Sequence, residues 1–372
     1  MKKYLLLTVG PVYVPQNLLK KASEDLIYHR EEKFHNLLSS IISQLQKILF
    51  TKEKIFIFTA SGTGAMEAAV SNLTPKMGKA LVVSCGRFGE RWREILRSFG
   101  YYVEMLRSEP GKPVPPEEVE RKVKLDDTIK YIFTTLTDTS TGVKQDIKNF
   151  GRIARENNRI LIVDGICGIG ADEFYFDEFY CDILCGASQK ALGGIPGISF
   201  LSVNERAWEI IKKSNTSRYY FDLINYEKFL NKKETPFTPA INTLYVFDSC
   251  LRKINKLGIK KYWQRHEFNA NLVRKILLKN NLELFSQSPS NALTIIKMKE
   301  GIDSTQIIRE IKEKKGILFS NGQGEWKGKI IRFSHMGFID SKILRKAAQV
   351  LIREIKKYEK KIFKVEGTIK KL

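Results

Sequence analysis

Short apolar runs alternate with amphipathic stretches from the start of the chain to about residue 205, the pattern of β–α–β units that build a mostly parallel sheet covered by helices. The runs predict strands at Ile55–Phe58, Ala80–Ser84, Tyr101–Leu106, Lys130–Thr134, Ile160–Asp164, Ile183–Ala187 and Ser199–Val203. Tyr4–Leu7 reads as an initial strand, and Asn17–Leu49 as helices leading into the first strand of the series. Apolar residues at helical spacing over Leu223–Leu230 and Leu244–Leu257 predict two more helices. The texture changes after that point. A long helix from about residue 260, a strand at Leu293–Met298, a helix at Thr305–Lys314, strands at Ile317–Ser320 and Ile330–Ser334, and a helix from Ser341 to about Tyr358 describe a smaller α+β unit. The expected division is 1–258 for an N-terminal segment with a large α/β domain and 259–372 for a small C-terminal domain. Ser108–Pro116, rich in Pro and Gly, is the expected exposed loop.

Composition narrows the function classes. A chain of 372 residues with 43% hydrophobic residues can bury a large core and divides naturally into two domains. No stretch reaches the roughly 18 consecutive apolar residues of a membrane span, and the apolar part of Met1–Pro11 is short for a secretory signal. The five cysteines, an odd number scattered in apolar surroundings, predict reduced thiols and a cytoplasmic protein. Cys181 and Cys185 have no second pair of ligands nearby in the sequence, so no metal site is expected. The net charge of +22 is the oddity. Its lysines alternate with apolar positions on helical segments, as on a solvated helix face, and no zinc-finger or RNP-type motif accompanies them; neither a nucleic-acid nor a membrane partner is expected.

Three short segments carry candidate chemistry. Thr59-Ala-Ser-Gly-Thr-Gly64 follows a strand and opens a helix, so it is either a phosphate cup made of backbone N–H groups or a plain tight turn. Asp164 ends an apolar run that otherwise reads as a buried strand. A carboxylate there needs a cationic partner or caps the following loop. Lys190, in Ala187-Ser-Gln-Lys190, ends another such run, where partial desolvation favours the neutral, nucleophilic amine. Single lysines are mostly surface residues. Phosphate cup, acid and amine together are what pyridoxal 5′-phosphate requires of a protein.

With those residues stand Gly10-Pro11, His29-Arg30, Gly86-Arg-Phe-Gly-Glu-Arg91, Asp138-Thr-Ser-Thr-Gly142, Thr235-Pro-Phe-Thr-Pro239 and Arg332-Phe-Ser-His-Met-Gly337, and the ordered set resembles the class V aminotransferases over nearly the whole length. The resemblance implies a fold-type I α/β transferase: a large domain on a mostly parallel seven-stranded sheet, plus a smaller α+β C-terminal domain. It implies pyridoxal 5′-phosphate as cofactor, with Lys190 as the Schiff-base lysine and proton carrier and Asp164 as partner of the pyridine nitrogen. Phe88 would stack on the ring and Thr139 would reach the cofactor, while Gly62, Thr63 and Gln189 would bind the phosphate, with Ser61 also among the cofactor-binding residues. Thr238 matches a threonine given to the neighbouring subunit's phosphate, which implies a homodimer with shared sites. Arg332 would grip the substrate carboxylate, with Gly10 beside the substrate.

The implied reaction is a ping-pong transfer of an amino group from a small amino acid of the alanine, serine or aspartate type to a 2-oxo acid such as pyruvate or glyoxylate. A 2-aminoethylphosphonate–pyruvate transaminase is the alternative within the class, and a non-catalytic cofactor-binding scaffold is the alternative outside it. The chain departs from the family beside the cofactor, where the usual Ser-rich segment reads Gly165-Ile-Cys-Gly-Ile-Gly170.

Overall fold

The computed structural model describes residues 4–369. Seven strands form the large sheet: β1 (Lys54–Thr59), β2 (Lys79–Ser84), β3 (Val103–Arg107), β4 (Ile129–Thr135), β5 (Ile160–Asp164), β6 (Ile183–Ala187) and β7 (Ile198–Val203). Their order across the sheet is β1-β7-β6-β5-β4-β2-β3, with only β7 antiparallel to its neighbours. Alternation of side chains explains why both faces are dry. Ile55, Ile57, Leu161 and Val163 face one core with the helices Glu32–Leu49 and Ile241–Leu257, while Phe56, Phe58, Ile160 and Ile162 face the other with Gly62–Asn72 and Arg87–Ser98.

The smaller sheet has the order Leu5–Leu7, Ile317–Asn321, Ile330–Ser334, Leu293–Lys297, Glu283–Leu284. Leu5–Leu7 pairs in parallel with Ile317–Phe319, so the first strand of the chain lies in the sheet built from its last third. Helices Ile259–Leu278, Ser304–Lys315 and Ser341–Ile369 cover this sheet around Val273, Ile307, Phe333 and Leu351.

Two expectations need correction. The third strand begins at Val103 and not at Tyr101, because the Tyr101 N–H is drawn back onto the Leu96 carbonyl (3.1 Å) to close the preceding helix at Gly100. The loop 108–116 is not simply exposed. Val114 donates its N–H to Gln145 Oε1 (2.9 Å), Gly111 accepts from the Gln287 N–H (2.8 Å), and both residues are buried.

Candidate active site

In an open sheet of this kind the carboxyl ends of the parallel strands form a crevice where loops can converge on a ligand. Here they enclose a cavity of about 150 Å³, reached by residues that follow β1, β2, β4, β5 and β6.

From β1 come Ser61, Gly62 and Thr63, the first turn of the helix Gly62–Asn72. First-turn N–H groups have no acceptor within their helix, so this turn offers donors and a partial positive charge to an anion. From β2 comes Phe88, at the start of the helix Arg87–Ser98. Its placement is enforced from behind by Asp138. One carboxylate oxygen accepts from the N–H groups of Phe88 (2.8 Å) and Gly89 (3.2 Å), and the other from the Ser140 N–H (2.9 Å) and hydroxyl (2.5 Å). Gly86 allows this approach, since a Cβ there would meet the Asp138 carboxyl carbon at 2.6 Å.

Asp164, at the end of β5, forms the cavity wall with one hydrogen bond, from the Ile166 N–H (2.9 Å). Burial pushes its carboxyl up to about 7; the Ile166 N–H pulls down, the Asp138 charge pushes up, and Lys190 and Arg91 pull down again. Lys190 stands just beyond β6, in a turn closed by Gly193 N–H to the Lys190 carbonyl (2.9 Å) and by Ser188 Oγ to the Ile195 carbonyl (2.5 Å). Its Nζ donates to the Val9 carbonyl. Burial lowers the ammonium below its ordinary value, against the opposing pull of Cys167 and Asp164, as a nucleophilic amine requires. Gly10 runs directly over Lys190 at φ +117°, and a side chain there would collide with the amine.

Arg332, in the strand Ile330–Ser334, reaches toward this region from the smaller sheet. Its Nε donates to the Asn321 carbonyl (2.7 Å) and its Nη1 to the Thr139 carbonyl (3.0 Å), which fixes the plane of the guanidinium. Burial brings it down to about 10, with Asp138 and Cys167 opposing. Two cavity atoms remain without a partner among the described residues: Thr139 Oγ1 and Gln189 Oε1 are buried and unbonded. Other buried side-chain atoms, such as Ser199 Oγ and Ser202 Oγ, are also unbonded, but Thr139 and Gln189 line a cavity, where a ligand can bond them.

The family described as aminotransferase class-V matches residues 17–328. The chain belongs to the class V aminotransferases. An uncharacterised aminotransferase of Methanocaldococcus jannaschii is 34% identical over 91% of this chain and 89% of its own length. A protein of Anabaena cylindrica named soluble hydrogenase 42 kDa subunit is 32% identical over 91% of this chain and 90% of its own length. The crystal structure of an alanine–glyoxylate aminotransferase from Nostoc superposes with a TM-score of 0.91 at 26% identity, covering 96% of each chain. The fold-type I architecture with a mostly parallel seven-stranded sheet and a smaller C-terminal sheet is that of such aminotransferases.

Of the residues singled out in the sequence, Ser61, Gly62, Thr63, Phe88, Thr139, Asp164, Gln189 and Lys190 line one cavity. Gly10 touches Lys190, and Arg332 reaches the cavity through the Thr139 carbonyl. Thr238 is exposed and is not among the residues lining the cavity of its own chain. Sequence reasoning missed several wall residues of this aminotransferase. Arg91 donates to Thr63 Oγ1 (3.0 Å) and lies over the Phe88 ring at 4.7 Å, and its position three residues after Phe88 on one helix face was the available signal. Ile166 and Cys167 line the wall beyond Asp164, and the Cys167 thiol contacts Met336 Sδ at 3.6 Å.

Proposed function

We propose that this aminotransferase uses pyridoxal 5′-phosphate to move an amino group from a small amino acid of the alanine, serine or aspartate type to a 2-oxo acid such as glyoxylate or pyruvate. The observation that carries the reading is the meeting of Lys190 Nζ and the Asp164 carboxyl in one small cavity beside two unbonded polar atoms, Thr139 Oγ1 and Gln189 Oε1. These residues fit the cofactor. Lys190 would hold its aldehyde carbon, Asp164 its ring nitrogen, Phe88 and Ile166 its two faces, and Ser61, Gly62, Thr63 and Gln189 its phosphate. The bound cofactor supplies an electron sink that makes the α-proton of an amine acidic enough to remove.

The chain's own groups do the rest. Lys190 Nζ, kept toward its neutral form by burial, takes and returns that proton. Arg332, with its plane fixed by Asn321 and Thr139, presents its remaining N–H groups to the substrate carboxylate. The glyoxylate-type acceptor is supported by the name of the Nostoc relative. Thr238 is exposed and outside the cavity of its own chain, so the phosphate it would serve is a neighbouring subunit's, in a homodimer with shared sites. All five cysteines are free and buried, as suits a protein of a reducing cytoplasm.

The test is an assay of pyruvate and glyoxylate against alanine, serine, aspartate and 2-aminoethylphosphonate, with the cofactor's visible absorbance followed before and after borohydride. Amino transfer from a small amino acid, together with loss of the borohydride-fixed chromophore in Lys190→Ala, is the expected result. No transfer to any 2-oxo acid would sink the reading.

A further inference from the structure

Asp172 is buried, at 1% exposure, and it is not among the residues lining the cavity. Its carboxylate gathers donors from both domains. Oδ2 accepts from the hydroxyls of Thr137 (2.7 Å) and Ser290, and Oδ1 accepts from the Asn291 N–H (2.9 Å). Behind Ser290 stands Arg274, whose guanidinium donates to the carbonyls of Ser290 and Leu293; burial lowers it from its ordinary value, with the Asp172 charge opposing. A buried carboxylate with these partners offsets its desolvation and holds them in one geometry.

What it holds is the small hairpin of Thr137–Asp138 and Val143–Lys144. Further bonds run along the same seam: Lys144 N–H to the Ser288 carbonyl (2.8 Å) and Ser290 N–H to the Gly142 carbonyl (3.0 Å). At the hairpin's tip sits Thr139, whose carbonyl fixes Arg332. The segment held by Asp172 on the other side leads into Leu293–Lys297, which pairs with the strand of Arg332, Ile295 facing Arg332. The Thr139 carbonyl on Nη1 and the strand that pairs with Arg332 are therefore both tied to this carboxylate, while the Asn321 carbonyl holds Nε independently of it.

We propose that Asp172 is a positioning residue for the substrate carboxylate: it clamps the hairpin to the small domain and so sets the angle of Arg332. This rests on the amino-transfer reading above. The consequence is selective. Loosening the clamp weakens ligands that carry a carboxylate for Arg332 more than amines that lack one, because Lys190, Asp164 and the phosphate cup lie outside the seam, while Thr139 and, through Asp138, Phe88 move with the hairpin and add a smaller effect common to both.

The test titrates the cofactor-loaded protein with L-alanine and with ethylamine, reading the half-saturating concentration from the visible absorbance, for wild type, Asp172→Asn and Ser290→Ala. Cofactor content, melting temperature and amide exchange of residues 137–144 in the cofactor-free protein are measured alongside. Asp172→Asn should raise the alanine concentration about tenfold and the ethylamine concentration less than about twofold, with faster exchange in the hairpin. Ser290→Ala, which leaves the carboxylate in place, should show the same pattern at smaller size. Equal changes for both amines, no change for alanine, or loss of folding in both variants would overturn the proposal. A wild-type protein that binds cofactor but ignores alanine would overturn the functional reading itself, and this use of Asp172 with it.

Discussion

Two buried carboxylates at the same edge of the large sheet have opposite surroundings. Asp138 receives four donors, from Phe88, Gly89 and the backbone and hydroxyl of Ser140, and is finished as a piece of architecture. Asp164 receives one, from Ile166, and its carboxyl is pushed up to about 7 as a result of burial. The difference separates what the protein completes by itself from what it leaves for a ligand. Around Asp138 the chain shapes the wall; around Asp164, Thr139 Oγ1 and Gln189 Oε1 it leaves bonding capacity unused.

Changes on the open side should therefore cost function with little loss of stability, and changes on the closed side should cost stability first and function through it. The largest effect is expected from Lys190→Ala, which should reduce amino transfer by about ten-thousand-fold while the melting temperature of the cofactor-free protein stays level or rises, since a buried amine is removed. Steady-state rates and thermal melts check both halves.

Asp164→Asn should follow, with a loss on the order of a hundred-fold or more in rate. It also carries a pH signature. The folded carboxyl sits near 7 against an ordinary 3.8, so the folded chain keeps a proton that the unfolded chain has released. Stability of the cofactor-free wild type should therefore fall as pH rises from about 4 to about 7 and level off above, and melts of the Asn variant should lack this component.

On the closed side, Asp138→Ala should cost about 2–4 kcal/mol of stability by stranding buried donors, measured by denaturant unfolding. The smallest effect belongs to Gln189→Leu. It should change stability by less than about 1 kcal/mol but weaken cofactor binding about tenfold in a titration of the cofactor-free protein. A large stability loss there would erase the distinction between the two regions.

The sequence made the open side far more legible than the closed one. Asp164 and Lys190 stand out because each ends a run of apolar residues, where a charge is expensive and so conspicuous. The same periodicity located all seven strands, with β3 shifted because its leading Tyr101 is spent on closing a helix. Asp138 and Asp172 lie in loop-like stretches rich in Thr, Ser and Gly, where an acid reads as ordinary turn chemistry until its distant partners are known. Asp172 bonds to Ser290 and Asn291, more than a hundred residues away, and no local pattern reports such a pairing. Arg91 was hidden differently, as one of several arginines on a strongly charged helix.

The strand Leu5–Leu7 has a consequence for how the molecule comes into being. It has no sheet partner until Ile317–Phe319 exists, so on the ribosome the first residues must wait for nearly the whole protein to be made. Val9 and Gly10, which lie against Lys190, are tethered to that strand. All seven strands of the large sheet are synthesised by Val203, but the Val9–Gly10 roof over Lys190 gains its anchoring strand only once Ile317–Phe319 has been made.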